Sequence, residues 1–228
     1  MNKYTFCYIV AIFAFFYSCK DKRVSEKEYY SNGTVKKETL YSDPHRLSKE
    51  VKSYYSNGIL SKECNYINDK LNGDFISYNE LGQILSKGYF KDGVPIGPTY
   101  YFNKGGLVLY NERDFNNKVY YVKKFDSTSH LLIKEEGVCL SPNTVIKQSI
   151  SIQELYFFYA QPEGYTKDLK VEIDGQSIEF DTLQGHMGII KLKLPAAIGK
   201  VVKIFSTLKY GTNIICQDSI QQFIVNRN

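Results

Sequence analysis

The chain opens on an apolar block without alternation. Tyr4 to Tyr17 contains Ile9, Val10, Ile12, Phe13, Phe15 and Phe16, with Lys3 before it and Lys20, Asp21, Lys22 and Arg23 just after Cys19. A basic start, a short apolar core and a polar exit predict a secretory signal. The run is shorter than the ~20 residues that cross a bilayer comfortably. Beyond it, apolar and polar positions alternate with the period of strands. Two ten-residue blocks nearly coincide: Tyr29 to Glu38 reads YYSNGTVKKE and Tyr54 to Glu63 reads YYSNGILSKE. Looser copies run from Tyr78 to Gly88 and from Phe102 to Leu109. Gly33, Gly58, Gly82 and Gly106 thus recur at roughly two dozen residues, a period typical of repeat arrays. A degenerate fifth copy, without glycine, covers Phe125 to Ile133.

Asn-Gly between aromatic and aliphatic flanks predicts a hairpin with a type I′ turn, both residues at positive φ. A second punctuation point, Asn72-Gly73 within Lys70 to Phe75, matches Gly97 within Val94 to Thr99. It predicts a looser turn between successive hairpins. One hairpin cannot bury its apolar face, whereas stacked hairpins can. From about Val138 the repeat is gone. Val145 to Ala160 is β-prone, Leu169 to Ile173 alternates into Asp174-Gly175, and Ile189 to Leu194 alternates up to Pro195. Val201 to Leu208 and Ile214 to Val225 complete a set of short strands typical of a sandwich. The expected fold is all-β: an N-terminal array of β-hairpin repeats, then a C-terminal β-sandwich-like domain. The expected boundaries are 1–18 for the signal, 19–27 for a linker, 28–137 for the repeats and 138–228 for the sandwich.

Composition sharpens this picture in two ways. Twenty Tyr and 14 Phe with no Trp favour half-buried pleated surfaces. The formal charge of +5 is spread among acids rather than gathered into a stripe, so nucleic acid is not an expected partner. Cys64, Cys139 and Cys216 are too scattered for a disulfide framework. Each is expected as a small buried core residue, with a Cys139–Cys216 bridge left open in an oxidising compartment.

Two resemblances add to this reading. Phe16-Tyr17-Ser18-Cys19 resembles a lipobox, although Phe16 stands where Leu is usual and Tyr17 where a small residue is usual. Such tolerant boxes are familiar in Bacteroidota, and Cys19-Lys20-Asp21 looks partly like the export tag of surface lipoproteins there. The resemblance implies lipidation at Cys19, and acyl chains there would anchor the chain stably. Tyr54-Tyr55, Asn57-Gly58, Lys62-Glu63, Tyr66 and Lys70-Leu71-Asn72-Gly73 resemble the MORN repeat variant found in bacterial proteins often labelled YwqK-like antitoxins. That resemblance covers Glu28 to about Phe115, and Leu40 to Glu50, with Pro44 and His45, departs from it. It implies a hairpin array used for protein contacts or membrane association, and no catalytic residues.

Catalytic signatures are absent: no GxSxG, HExxH, phosphate-binding loop or dinucleotide fingerprint occurs. His45, His130 and His186 are isolated, and no metal or cofactor is expected. Glu135-Glu136 is an adjacent acid pair that strand alternation sends to opposite faces. The expected function is that of a non-catalytic lipoprotein of the cell envelope, a binding or scaffold module for another protein or an envelope component. It would be held to the membrane, expected to be the outer one, by lipid on Cys19. The exposed members of Tyr29, Tyr30, Tyr54, Tyr55, Tyr100 and Tyr101 form the expected binding surface. An antitoxin in the cytoplasm and an envelope enzyme acting on glycans are the alternatives.

Overall fold

The computed structural model describes residues 24–141, 145–148, 152–183, 188–195 and 200–224. The signal, Cys7, Cys19 and His186 lie outside the described residues. Every regular element is a strand. β1 (Ser25–Tyr29), β2 (Val35–Tyr41), β3 (Ser48–Tyr54), β4 (Leu60–Ile67) and β5 (Lys70–Tyr78) are followed by β6 (Ile84–Lys91), β7 (Val94–Asn103), β8 (Gly106–Arg113), β9 (Val119–Phe125) and β10 (Leu132–Gly137). These ten form one antiparallel sheet in strict chain order. β1 starts inside the segment expected as linker.

The tight turns differ from those expected. At the YYSNG copies, Gly33 N–H donates to the Tyr30 carbonyl at 3.0 Å and Gly58 N–H to the Tyr55 carbonyl at 2.9 Å. Gly33 and Gly58 sit at φ +84° and +86°, whereas Asn32 and Asn57 keep negative φ. These are type I turns closed by a bulged glycine, a three-residue loop rather than a type I′ turn, and the register shifts beside them at Glu28/Tyr29 and Ser53/Tyr54. The two-residue turns lie elsewhere, at Asn68-Asp69, Asp92-Gly93 and Lys104-Gly105, all with positive φ. Asn72-Gly73 and Gly97 fall inside β5 and β7 rather than at a looser turn. Gly73 leaves room for Asn65, whose Cβ would lie 3.3 Å from an added methyl, and the β4–β5 register slips there. The fifth hairpin turns between Asp126 and Leu131, with His130 at φ +56° in the left-handed position that glycine holds in the other copies.

Asn keeps its right-handed conformation because its side chain serves two partners. The Asn32 amide oxygen accepts the Thr34 N–H at 3.1 Å, and its nitrogen donates to the Ser56 carbonyl of the next copy at 3.0 Å. Asn57 repeats this with Ile59 at 3.0 Å and Glu80 at 3.3 Å. The second Tyr of each motif does the same at longer reach. The Tyr30 hydroxyl donates to the Tyr54 carbonyl and the Tyr55 hydroxyl to the Tyr78 carbonyl, each at 2.7 Å. Each bond crosses two strand spacings, about 10 Å, which a rigid ring ending in a hydroxyl can bridge.

The second half forms two four-stranded sheets. β11 (Val145–Gln148), β12 (Ile152–Phe158), β13 (Thr166–Ile173), β14 (Gln176–Ile178), β15 (Asp181–Leu183), β16 (Ile189–Pro195), β17 (Lys200–Tyr210) and β18 (Asn213–Ile224) pair as β11-β12-β16-β15 and β14-β13-β17-β18. Leu155, Phe157, Ile190 and Leu192 of the first sheet share a core with Val171, Val202 and Ile204 of the second. Asp174-Gly175 makes a two-residue hairpin turn with both φ positive. A second core joins the sandwich to the end of the repeat sheet through Tyr110, Tyr120 and Tyr121 against Tyr156, Phe158, Ile189 and Leu208.

The inter-copy bonds yield a first prediction. Tyr55→Phe removes one hydroxyl–carbonyl bond and is expected to lower stability by about 1 kcal/mol. Tyr29→Phe, at an exposed edge-strand position, is expected to change nothing measurable. Urea unfolding of the two variants beside the parent decides this, and equal midpoints for all three would remove the bond from the account.

Candidate functional site

Several hollows border the repeat sheet, two of them on its opposite faces. The first lies on β1 to β4. Thr39, Val51 and Cys64 are directly opposite one another across the strands and are 6 %, 5 % and 0 % exposed. They floor a trough of about 550 Å³ walled by Tyr41, Lys49 and Tyr66 on one side and Lys37, Ser53 and Lys62 on the other. Two of the cations here have carboxylate partners: Lys37 pairs with Glu28 at 2.9 Å and Lys49 with Asp69. Lys stems cover apolar surface while their charges stay wet.

The second concavity lies where the opposite face of β6 to β10 meets the sandwich. It is a cleft of about 710 Å³. Tyr100, Phe102, Tyr110 and Phe125 line it from the repeat sheet, and Pro162, Tyr165, Tyr210 and Ile215 from the sandwich. Tyr100 meets Tyr110 edge to face at 5.0 Å, and Tyr165 lies 5.0 Å from Tyr210. Inward alternation along β9 puts Tyr121, Lys123 and Phe125 on this face. A bulge at the start of β10 lets Leu132 and Glu135 share it, although they are three residues apart.

The polar groups of the cleft form a chain. The Lys123 ammonium donates to the Tyr165 hydroxyl at 2.7 Å, and that hydroxyl donates to Glu135 at 3.2 Å. The Tyr121 hydroxyl donates to the other Glu135 oxygen. Burial lowers the Lys123 pKa, with the charge of Glu135 opposing. Burial pushes the Tyr100 phenol up to about 12. Lys87 stands at the mouth, 4.6 Å above the Tyr100 ring. Glu136 points the other way and pairs with Lys134, as alternation requires.

Behind the cleft the two halves of the chain are joined by buried acids. Glu112 is fully enclosed. It accepts the Tyr110 hydroxyl, the Tyr120 hydroxyl at 3.5 Å and the Gln161 N–H at 2.8 Å. Burial raises its pKa to about 7 against these hydrogen bonds. Asp114 accepts the Ser141 hydroxyl at 3.1 Å. Among the described residues, one group of metal-ligand types converges: the side-chain donors of Cys139, Cys216 and Asp218 lie within 4.8 Å of one another. Both cysteines are free thiols. Asp218 is already engaged by the Cys139 N–H and the Cys216 thiol, so the group serves as a clasp between the inter-domain segment and β18. Cys64 and Cys139 are buried as expected, whereas Cys216 is half-exposed.

The six tyrosines expected as a binding surface do not gather in one place. Tyr29 is exposed on the β1 edge, and Tyr30 and Tyr55 spend their hydroxyls on the next copy. Tyr54 is half-buried, Tyr101 is partly exposed, and Tyr100 enters the cleft. Alternation missed Lys87, Lys123, Tyr165 and Tyr210, whereas it set Glu135 and Glu136 on opposite faces. One signal was available: Lys123 occupies an inward position between Tyr121 and Phe125 in VYYVKKF.

The hairpins β1–β2, β3–β4 and β5–β6 share one sequence pattern. The MORN repeat variant family matches residues 25–43, 47–68 and 71–92. Each MORN-variant match covers one hairpin. The fourth and fifth hairpins continue the same sheet beyond the matched stretches. No curated protein matches the chain.

Glu112 generates a pH prediction. Its folded pKa, about 7, stands above its ordinary 4.5. Between those values the folded chain holds a proton that the unfolded chain has lost, so stability falls as pH rises through the window and levels off above it. The drop is expected to be about 3 kcal/mol. Glu112→Gln, which stays neutral, is expected to flatten that slope in denaturant titrations from pH 4.5 to 7.5. An unchanged slope would assign the dependence to another group.

Proposed function

We propose that the protein is a non-catalytic scaffold of the cell envelope, anchored by lipid on Cys19, that holds a protein partner along the free β10 edge of its repeat sheet. The observation that carries the reading is the character of that edge. Leu131, Leu132 and Ile133 are 69 %, 48 % and 67 % exposed, an apolar run in the last turn and at the start of β10, which pairs with β9 on one side and has no strand partner on the other. Edge strands are ordinarily blunted by charge. β1, at the other end of the sheet, is blunted in this way by Glu26, Lys27 and Glu28, whereas β10 carries its outward charges, Lys134 and Glu136, only after the apolar run. An apolar edge is suited to taking on an added strand from a partner, and exposed apolar surface of this kind marks interaction sites. The MORN-variant matches support the reading, since such repeats commonly serve as protein- or membrane-binding modules. The buried carboxylates give no support to catalysis, because Glu112 has no accessible surface and both Glu135 oxygens hold tyrosine hydroxyls.

Two measurements test the two parts of this proposal. Labelling with a clickable fatty acid is expected to mark the parent chain in membranes and not Cys19→Ala; an unlabelled, soluble parent would refute the anchor. A photo-crosslinking residue at Ile133 is expected to capture a protein in intact cells, while the same residue at Tyr29 captures none. Capture at Tyr29 alone would move the partner to the aromatic strips of the first copies.

A further inference from the structure

The cleft between the repeat sheet and the sandwich is lined by two cations, Lys87 and Lys123, and two carboxylates, Glu135 and Glu163, and among the described residues neither cation is in salt-bridge contact with a carboxylate. Lys123 is 9 % exposed, and its one hydrogen bond among the described residues goes to the Tyr165 hydroxyl. Among the described residues no carboxylate lies within salt-bridge distance of it. Glu135, the nearest acid in the cleft, has both oxygens occupied by the Tyr121 and Tyr165 hydroxyls. A buried ammonium with two unused donors is costly unless an anion meets it. Lys87 also has no carboxylate partner among the described residues. Its ammonium is held 4.6 Å over Tyr100 and 6.0 Å over Phe102. Both cations border the same volume of about 710 Å³, within the range of small-ligand sites. Apart from Glu135 and Glu163, the remaining lining is aromatic and aliphatic from two opposed walls, which suits a flat apolar body.

We propose that this cleft binds a small organic anion with a flat aromatic body, its charge met by Lys123 and Lys87 and its ring held between the tyrosines of the two walls. Tyr100 and Tyr110 supply one wall, Tyr165 and Tyr210 the other. The Tyr165 hydroxyl fixes the Lys123 ammonium at the inner end and ties it to Glu135, so the donors are preorganised before a ligand arrives. The cleft shares Leu132 and Glu135 with β10, but the inference rests on Lys123 and Lys87, so loss of the partner proposed at Ile133 would leave it standing.

Calorimetric titration of the full chain with 2-naphthoate, and with 2-naphthylmethanol as the uncharged match, tests the proposal. The expected result is saturable one-to-one binding of 2-naphthoate and at least tenfold weaker binding of the alcohol. Lys123→Met keeps the apolar stem and is expected to weaken 2-naphthoate at least tenfold and erase the preference for the anion. Lys87→Met, at the mouth, is expected to weaken it about threefold without touching the interior, and it carries the test if Lys123→Met fails to fold. Equal affinity for acid and alcohol would overturn the proposal, as would no saturable heat with 2-naphthoate, or affinity indifferent to both substitutions.

Discussion

The constraint behind this structure is that much of the repeat sheet has no second layer. Among the described residues, β1 to β6 contribute nothing to either apolar core. Sheets ordinarily gain their stability by burying one face, and a bare sheet must be held within its own plane. The Tyr and Asn bonds from the first copy to the second and from the second to the third do this at the turn end of the array. They explain why the repeat conserves identity between its first two copies at YYSNG rather than along the strands. Lys52 lies 3.0 Å from Glu50 on its own strand and 3.1 Å from Glu63 across to β4. Such exposed pairs are individually weak, so the ladder, the staples and the small buried row Thr39-Val51-Cys64 do most of the holding.

The same constraint explains what happens at the far end. In the third copy Asn79 stands where Tyr55 stood and Leu81 where Asn57 stood, and Asn79 turns its side chain inward on Leu81 and Gln83. The staple is lost as the sandwich takes over. Tyr110 and Tyr121 are 2 % and 1 % exposed beneath it, and Phe115 packs on Phe158 at 4.5 Å. The sandwich acts as the cap that a repeat array needs, because the last copy otherwise exposes its apolar face.

The strand pattern was legible in the sequence to a large extent, and for a physical reason. Period-two alternation and repeated glycines are local signals, and they locate the hairpins and the sandwich strands. Turn type was less legible, because Asn-Gly fits both a type I′ turn and a type I turn with a bulged glycine. The choice between them depends on Ser56 and Glu80, two strands away. Gly73 misled for a related reason: a glycine that makes room for Asn65 within a sheet looks the same in sequence as one that makes a turn. The cleft was least legible. It needs Lys123 from the repeat sheet and Tyr165 from the sandwich, 42 residues apart, and no local pattern joins them.

The junction also shows why a cleft exists at all. Glu112 and Asp114 fix the sandwich to β8 and the loop after it through Gln161 and Ser141, near one end of those strands. Directional hydrogen bonds hold that end closed, while the other end of the same face, at Phe102, Leu107 and Phe125, stays open between the walls. Had the whole face been covered by apolar packing alone, the sandwich would have been free to settle onto it and close the gap. Buried acids cost stability that apolar contacts would not, as the raised pKa of Glu112 indicates. In return they set the angle of approach. The polar clasp therefore determines where the two layers touch and, by holding them apart beyond that point, where a ligand can enter.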